Sequence, residues 1–156
     1  MSDEQFMGLA IEKARDGMRL GQTPFGAAIA RGAGLIACTH NNVWATTDPT
    51  AHAEVSAIRE ACAALNTIDM SGCVIYSTCE PCPMCFAACH WARLDRIVFA
   101  AEIADAQRAG FNELTVSNEE LRRIGGSRIE LVGGVLRNEA RELFKEFQQS
   151  LTSRTY

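Results

Sequence analysis

Asp48-Pro-Thr-Ala-His-Ala-Glu54 and, further along, Thr78-Cys-Glu-Pro-Cys-Pro-Met-Cys85 are the two stretches from which the rest of this chain can be read. Each stands where an extended or polar segment gives way to a helical pattern. After the first, Val55, Ile58, Cys62 and Leu65 form an apolar stripe while Arg59 and Glu60 face outward. A helix launched by Asp48-Pro49-Thr50 is therefore expected. His52 and Glu54 fall in its first turn, at the electropositive end. Before the second stretch, Cys73-Val-Ile-Tyr-Ser77 reads as a buried strand. Pro81 and Pro83 bracket Cys82, and a proline at the first helical position suits a helix start. Cys82 and Cys85 are three apart, on one face of that opening turn, where a thiol is eased toward thiolate. Two helix starts, each following an extended segment and a loop, are the usual place for a ligand site in an α/β sheet.

The remaining pattern supplies the layers around them. Residues 4–18 carry Met7, Ile11, Ala14 and Met18 at helical spacing, ended by Gly21 and Pro24. Residues 25–31 and 35–40 are apolar runs joined by Arg31-Gly-Ala-Gly34 and read as a hairpin. No helix follows those glycines, so they are turn residues rather than a phosphate loop. Asn41 to Asp48 reads as a polar loop. Strands are expected at 97–101 and 129–132, short helices at 102–108 and 117–124, and a C-terminal helix with Leu136, Ala140, Leu143, Phe144, Phe147 and Leu151 on its apolar face. This order implies an α/β fold, a three-layer α/β/α sandwich with a mixed five-stranded sheet.

Composition narrows the class. A chain of 156 residues suits one domain spanning 1–156 with one core. No apolar run reaches the ~20 residues of a membrane span, and the charged, amphipathic start is unlike a secretory signal. The seven cysteines lie mostly in apolar segments, which fits a reducing, cytoplasmic setting without disulfides. Cys38, Cys62, Cys73 and Cys89 read as small buried hydrophobes. The net charge of −4, without a basic stripe, argues against a polynucleotide as the main partner.

Across nearly its whole length the sequence resembles the cytidine-deaminase-like superfamily. The residues that carry the resemblance are the His-x-Glu of the first stretch and the Pro-Cys-x-x-Cys of the second. Either motif alone is weak; their order, the prolines and the intervening strand agree. The resemblance implies one zinc ion per subunit held by His52, Cys82 and Cys85, with Glu54 as proton shuttle. Its logic is physical. Three protein ligands leave a fourth position for water, whose pKa falls from about 15.7 to roughly 7 on zinc. A hydroxide is then available at neutral pH, and a nearby carboxyl moves the protons. The rival is a structural Cys3His site in which Cys79 fills the fourth position and Glu54 is an ordinary helix-start carboxylate. His40, His90 and Trp44 read as structural residues.

Within the superfamily both stretches look like the purine-deaminating branch, which includes bacterial guanine deaminase and the tRNA adenosine deaminase. Family members share an α/β/α sandwich and at least a homodimer. By resemblance, Asn41 matches the asparagine that reads the purine ring and Phe25 a residue that packs against the base. Trp91, in His90-Trp-Ala-Arg93, and Glu113, in Ala109-Gly-Phe-Asn-Glu113, resemble guanine deaminase, where an acidic residue can accept a hydrogen bond from the 2-amino group. The aromatic Tyr156 resembles a tail that closes the pocket. Residues 129–136 resemble the nucleoside and tRNA deaminase ending instead, which argues against tail exchange and against a site role for Tyr156. The implied reaction is hydrolysis of guanine to xanthine and ammonia. The alternatives are a tRNA adenosine deaminase, or a deaminase of a nucleoside, cytosine or an amino-triazine.

Overall fold

Side-chain alternation along the strands decides which helix packs where. In the computed structural model, which describes residues 1–156, strand β1 (Gly26–Arg31) points Ala28 and Ala30 to one face and Ala27 and Ile29 to the other. Strand β3 (Cys73–Cys79) divides Tyr76 from Cys73 and Ile75 in the same way, and β4 (Arg96–Ala101) divides Val98 from Ile97. This two-residue period gives the sheet two apolar faces. Helices α1 (Asp3–Arg19) and α7 (Arg137–Gln149) cover the first through Phe6, Met7, Ala10, Leu143 and Phe147. Helices α3 (Ala53–Leu65) and α4 (Pro83–Trp91) cover the second through Ala53, Ala57, Ala61, Phe86 and Cys89. The expected α/β/α layering is thus present.

The five strands lie in the order β2-β1-β3-β4-β5, with β2 at Gly34–His40 and β5 at Glu130–Gly133. β1 pairs antiparallel with β2 and β3, whereas β3–β4 and β4–β5 are parallel. The sheet is mixed, as expected. The hairpin carries a bulge: Ile29 pairs with Ala37 and Ala30 with Leu35, leaving Ile36 without an opposite number.

Two local expectations shift. The first helix of the motif region begins at Ala53 rather than at Asp48-Pro49-Thr50. Asp48 Oδ1 accepts hydrogen bonds from the Thr50 backbone N–H at 2.8 Å and hydroxyl at 2.7 Å, so these residues close a turn of their own. The loop after β2 contains a short helix, α2 (Val43–Thr46), which ends at Thr47 in the left-handed region. The other expected helices are α5 (Ile103–Arg108) and α6 (Asn118–Gly125).

Helix α1 sits unusually close to the sheet. A Cβ on Gly26 would lie 2.1 Å from the Ala10 carbonyl oxygen and 2.9 Å from the Ala14 nitrogen. The Ala10 and Ala14 positions are fully buried, so the helix has nowhere to retreat. The same helix is tied to the sheet by Asp3, which accepts from Arg96 at 2.6 and 3.1 Å and from the Tyr76 hydroxyl at 2.9 Å. The Arg96 hydrogen bond, against some opposing burial, holds the Asp3 carboxyl below its ordinary range. Burial and the Asp3 carboxylate push the Tyr76 phenol up to about 12.

Two outcomes are expected. Gly26→Ala should destabilise by about 2 kcal/mol or more, lowering the melting temperature by roughly 5 °C; a melting curve overlying the parent's would refute the close contact. Folding lowers the Asp3 pKa, so this carboxylate adds stability above its ordinary value of 3.8 and loses it as pH falls through the lower folded value. Asp3→Asn should therefore cost on the order of 1 kcal/mol at neutral pH. In urea titrations the gap between parent and variant should begin to close only below roughly pH 4 and vanish once pH is under the lower folded value; a gap constant with pH would contradict the ion pair.

Candidate active site and metal centre

Two helix starts meet at the carboxyl end of β3. His52 is the N-cap residue of α3 and Cys82 the N-cap residue of α4, with Pro83 at the first helical position. N-caps ordinarily carry Ser, Thr, Asp or Asn to satisfy the first helix N–H groups. Neither His52 nor Cys82 makes a side-chain capping bond. Both turn inward instead: His52 Nδ1 lies 3.6 Å from Cys82 Sγ and 3.4 Å from Cys85 Sγ. Hydrogen bonds to two backbone carbonyls hold the approach, with the Thr39 hydroxyl donating to the Ala53 carbonyl at 2.7 Å and Asn42 N–H to the Ala51 carbonyl at 2.9 Å.

The ligand atoms of His52, Cys82 and Cys85 all lie within 4.8 Å of one another. A tetrahedral zinc with bonds of about 2.0–2.1 Å to nitrogen and 2.3 Å to sulfur would separate those atoms by roughly 3.5 Å. The nitrogen–sulfur distances match, so the donor set fits the metal. The two thiols differ in acidity. The hydrogen bond from Cys85 lowers the Cys82 thiol to about 4; burial opposes this and His52 adds to it. Cys85 is correspondingly raised well above the ordinary thiol value by Cys82 and by burial. Cys79 stands outside the cluster: its Sγ faces the Glu102 carbonyl at 3.5 Å, and it does not join the three donors.

Glu54 occupies the second position of α3 and is only 7% exposed. Ser77 Oγ of β3 donates to its Oε1 at 3.0 Å, and Cys85 Sγ lies 3.5 Å from Oε2. Burial raises its carboxyl above the ordinary range, with His52 pulling the other way. Ser77 is a partner that the sequence reading missed. Its only signal is a small hydroxyl, followed by Thr78, in a mainly apolar strand just before the cysteine motif.

A cavity of about 230 Å³ opens beside the donors, walled by His52, Cys82, Met84, Glu113, Leu114 and Tyr156 among others. Glu113 is half-buried there, and burial together with Cys82 pushes its carboxyl up to about 7. Asn41 is fully buried. Its Oδ1 accepts from the Val43 N–H at 3.1 Å, leaving Nδ2 to donate to the Tyr156 hydroxyl at 2.7 Å. Tyr156 forms one wall of this opening. The Tyr156 carbonyl accepts from Asn112 N–H at 3.1 Å, and its ring lies 5.6 Å from that of His52. The Trp44 indole donates to the Arg154 carbonyl at 3.3 Å, while the Arg154 guanidinium sits 3.9 Å over the Trp44 ring. Tyr156 therefore walls the cavity, against the expectation of no site role for it, while Trp44 packs on the Arg154 segment as the structural residue expected.

Two expected substrate contacts are elsewhere. Trp91 is at the far end of α4, 81% exposed, in a surface cleft with Ile68, Asp69, His90 and Arg93. A nine-residue helix separates it from Cys82, so it cannot face the cavity of its own chain. Phe25 is half-buried in an aromatic cluster, with its ring 4.8 Å from Phe111 and 5.8 Å from Phe144. It serves Asn41 through its backbone carbonyl, at 3.0 Å, rather than lining the cavity.

Residues 1–101 match the family described as the cytidine and deoxycytidylate deaminase zinc-binding region. Guanine deaminase of Bacillus subtilis is 44% identical over 120 residues, covering 76% of this chain and 77% of that protein. A tRNA-specific adenosine deaminase of Aquifex aeolicus is 42% identical over 101 residues, covering 65% of this chain and 67% of that one. The solved guanine deaminase of Nitrosomonas europaea superimposes with a TM-score of 0.85 at 32% identity, covering 93% of this chain and 84% of that one.

The donor geometry predicts a selective pattern of metal loss. Cys82→Ser and His52→Ala should abolish stoichiometric zinc in elemental analysis, while Cys79→Ser keeps one zinc per chain. Zinc lost on changing Cys79 would restore the closed Cys3His site.

Proposed function

This chain belongs to the cytidine and deoxycytidylate deaminase family of zinc-dependent hydrolases, and from that premise we propose that it deaminates a free purine base, guanine above all, to xanthine and ammonia. The observation that carries the reading is the small cavity beside the three donors, walled by Glu113 and Tyr156. At about 230 Å³ it is smaller than the ~300–1,000 Å³ typical of drug-sized ligands. A bare base suits it better than a nucleotide embedded in a loop. The net charge of −4 supports a small neutral substrate as well.

Zinc held by His52, Cys82 and Cys85 supplies a water made nucleophilic at neutral pH, its pKa lowered to roughly 7. The remaining work belongs to side chains. Glu54, buried and fixed by Ser77, donates a proton to the ring nitrogen beside the carbon that bears the amino group. Water adds to that carbon and returns a proton to Glu54, which passes it to the amino group; as the carbon–nitrogen bond breaks and ammonia leaves, the new hydroxyl gives its remaining proton back to Glu54 and becomes the carbonyl. Asn41 and Glu113 orient the base: the Asn41 amide turns from Tyr156 to the ring edge, and Glu113 accepts from the 2-amino group. The pocket rejects a purine without that amino group because the Glu113 carboxylate is then left unpaired.

The second reading is A-to-I editing of tRNA, favoured by the 42% identity to the Aquifex protein. It requires Tyr156 to leave the opening and a basic path for the strand, which a net charge of −4 does not favour.

A second copy of the chain is proposed to cover α4. This helix is apolar except for His90 yet leaves Ala87 and Trp91 exposed and Met84 half-exposed, and a helix so apolar is normally buried. That occupant would place Trp91 at a homodimer contact. No helix of the structure is long and apolar enough to cross a membrane, and seven free cysteines suit a cytoplasmic setting.

Ammonia release should be measured over guanine, adenine, cytosine, guanosine, adenosine, an amino-triazine and a tRNA anticodon stem-loop. Guanine should lead adenine by at least ~10² in kcat/KM. Glu54→Ala should retain its zinc and lose about 10²–10⁴ in kcat. Turnover of the stem-loop with guanine untouched would replace this reading by the second.

A further inference from the structure

The loop that presents Cys82 is held from outside the site by residues the chemistry does not use. Glu80 lies between β3 and Cys82, and its N–H donates to the Ala101 carbonyl at 2.8 Å. Its carboxylate faces two helices at once. Oε1 accepts from the N–H of Asn118 at 2.8 Å, and Oε2 from the N–H of Ile103 at 3.4 Å. These are the first residues of α6 and α5. The ordinary N-caps do not serve those groups: Ser117 Oγ accepts from Glu120, and Glu102 accepts at the third residue of α5. One carboxylate thus satisfies two otherwise orphaned N–H groups and faces two positive helix ends.

Asn118 completes the arrangement. It is fully buried, and its Nδ2 donates to the Pro81 carbonyl at 2.6 Å. Its Oδ1 has no partner in the protein. A buried amide with one end unsatisfied is costly, so the residue is retained for its donor end. That end fixes the peptide immediately before Cys82. The same short segment leads back to Leu114 and Glu113, which wall the cavity. Metal loop and cavity wall are therefore joined at one point, 38 residues apart in sequence.

We propose that Glu80 and Asn118 are positioning residues: a clamp that holds Cys82 at its metal-binding position and registers the Glu113–Leu114 wall against it. The inference deepens the proposed function and rests on the reading of His52, Cys82 and Cys85 as zinc ligands. Partners outside the ligand set commonly change metal affinity by about 10–100-fold, which sets the expected size.

The test is the rate at which zinc passes from the intact protein to a chromophoric chelator, beside the melting temperature of each variant. Asn118→Ala and Asn118→Asp both remove the donor to Pro81 and should release zinc about 10-fold faster or more. Ser117→Ala removes the ordinary cap of α6 without touching the loop, and should lower the melting temperature while leaving zinc release within twofold. Equal acceleration in Ser117→Ala, or none in the Asn118 variants, overturns the clamp. Should the Asn118 variants fail to fold, Glu80→Gln is held to the same criterion, since it keeps shape but removes the charge facing both helix starts. A parent chain without zinc would sink the metal reading and the clamp with it. Zinc on the parent with unaltered release in the variants would sink the clamp alone.

Discussion

Three donor atoms within 4.8 Å, brought from the starts of two helices, are the constraint around which this chain is arranged. Holding them there has a cost. His52 and Cys82 occupy N-cap positions without capping, which forgoes about 1 kcal/mol at each helix. Two imidazole-distance contacts between potentially charged groups would not by themselves hold such a geometry. The sheet does so, with separate apolar clusters on its faces and α3 and α4 packed on one of them. The metal then draws together elements that are already placed, rather than folding the chain around itself.

The neighbourhood of the donors is dry on one side and adjustable on the other. Glu54 is sealed beneath α3 against Ser77, where burial favours its protonated form. Across the cavity, Glu113 and Tyr156 belong to irregular segments joined to each other mainly by the Asn112–Tyr156 backbone bond. Under the proposed function the proton-moving residue stands on a regular element and the recognition residues on irregular ones, a common division in α/β enzymes. Proteins with different substrates can share the first part and differ in the second. That fits the similarity of this chain to both a guanine deaminase and tRNA adenosine deaminases.

Much of this was legible in the sequence because it is local. The strands at Cys73–Cys79 and Arg96–Ala101 are built on the apolar runs Cys73–Tyr76 and Ile97–Ala101, and the zinc donors sit in two short motifs. What the sequence hid depends on contacts between distant segments. Ser77 meets Glu54 across 23 residues, Asn118 meets Pro81 across 37, and Tyr156 meets Asn41 across 115. No periodicity encodes such pairs. Phe25 and Trp91 mislead for the opposite reason: similarity of motif suggested a role, whereas their rings are directed by packing into a core and by the length of α4. The start of α3 was placed early because Asp48 and Thr50 bond to each other before the helix can begin.

The unpaired Ile36 in β2 has a bearing on behaviour in concentrated solution. β2 is an outer strand, and a straight outer strand offers a row of free N–H and C=O groups to any other chain that can add alongside. One surplus residue bends that row and breaks its repeat, so a foreign strand cannot stay in step along it. Resistance to strand-by-strand aggregation is thus built into the hairpin at the cost of a single misfit.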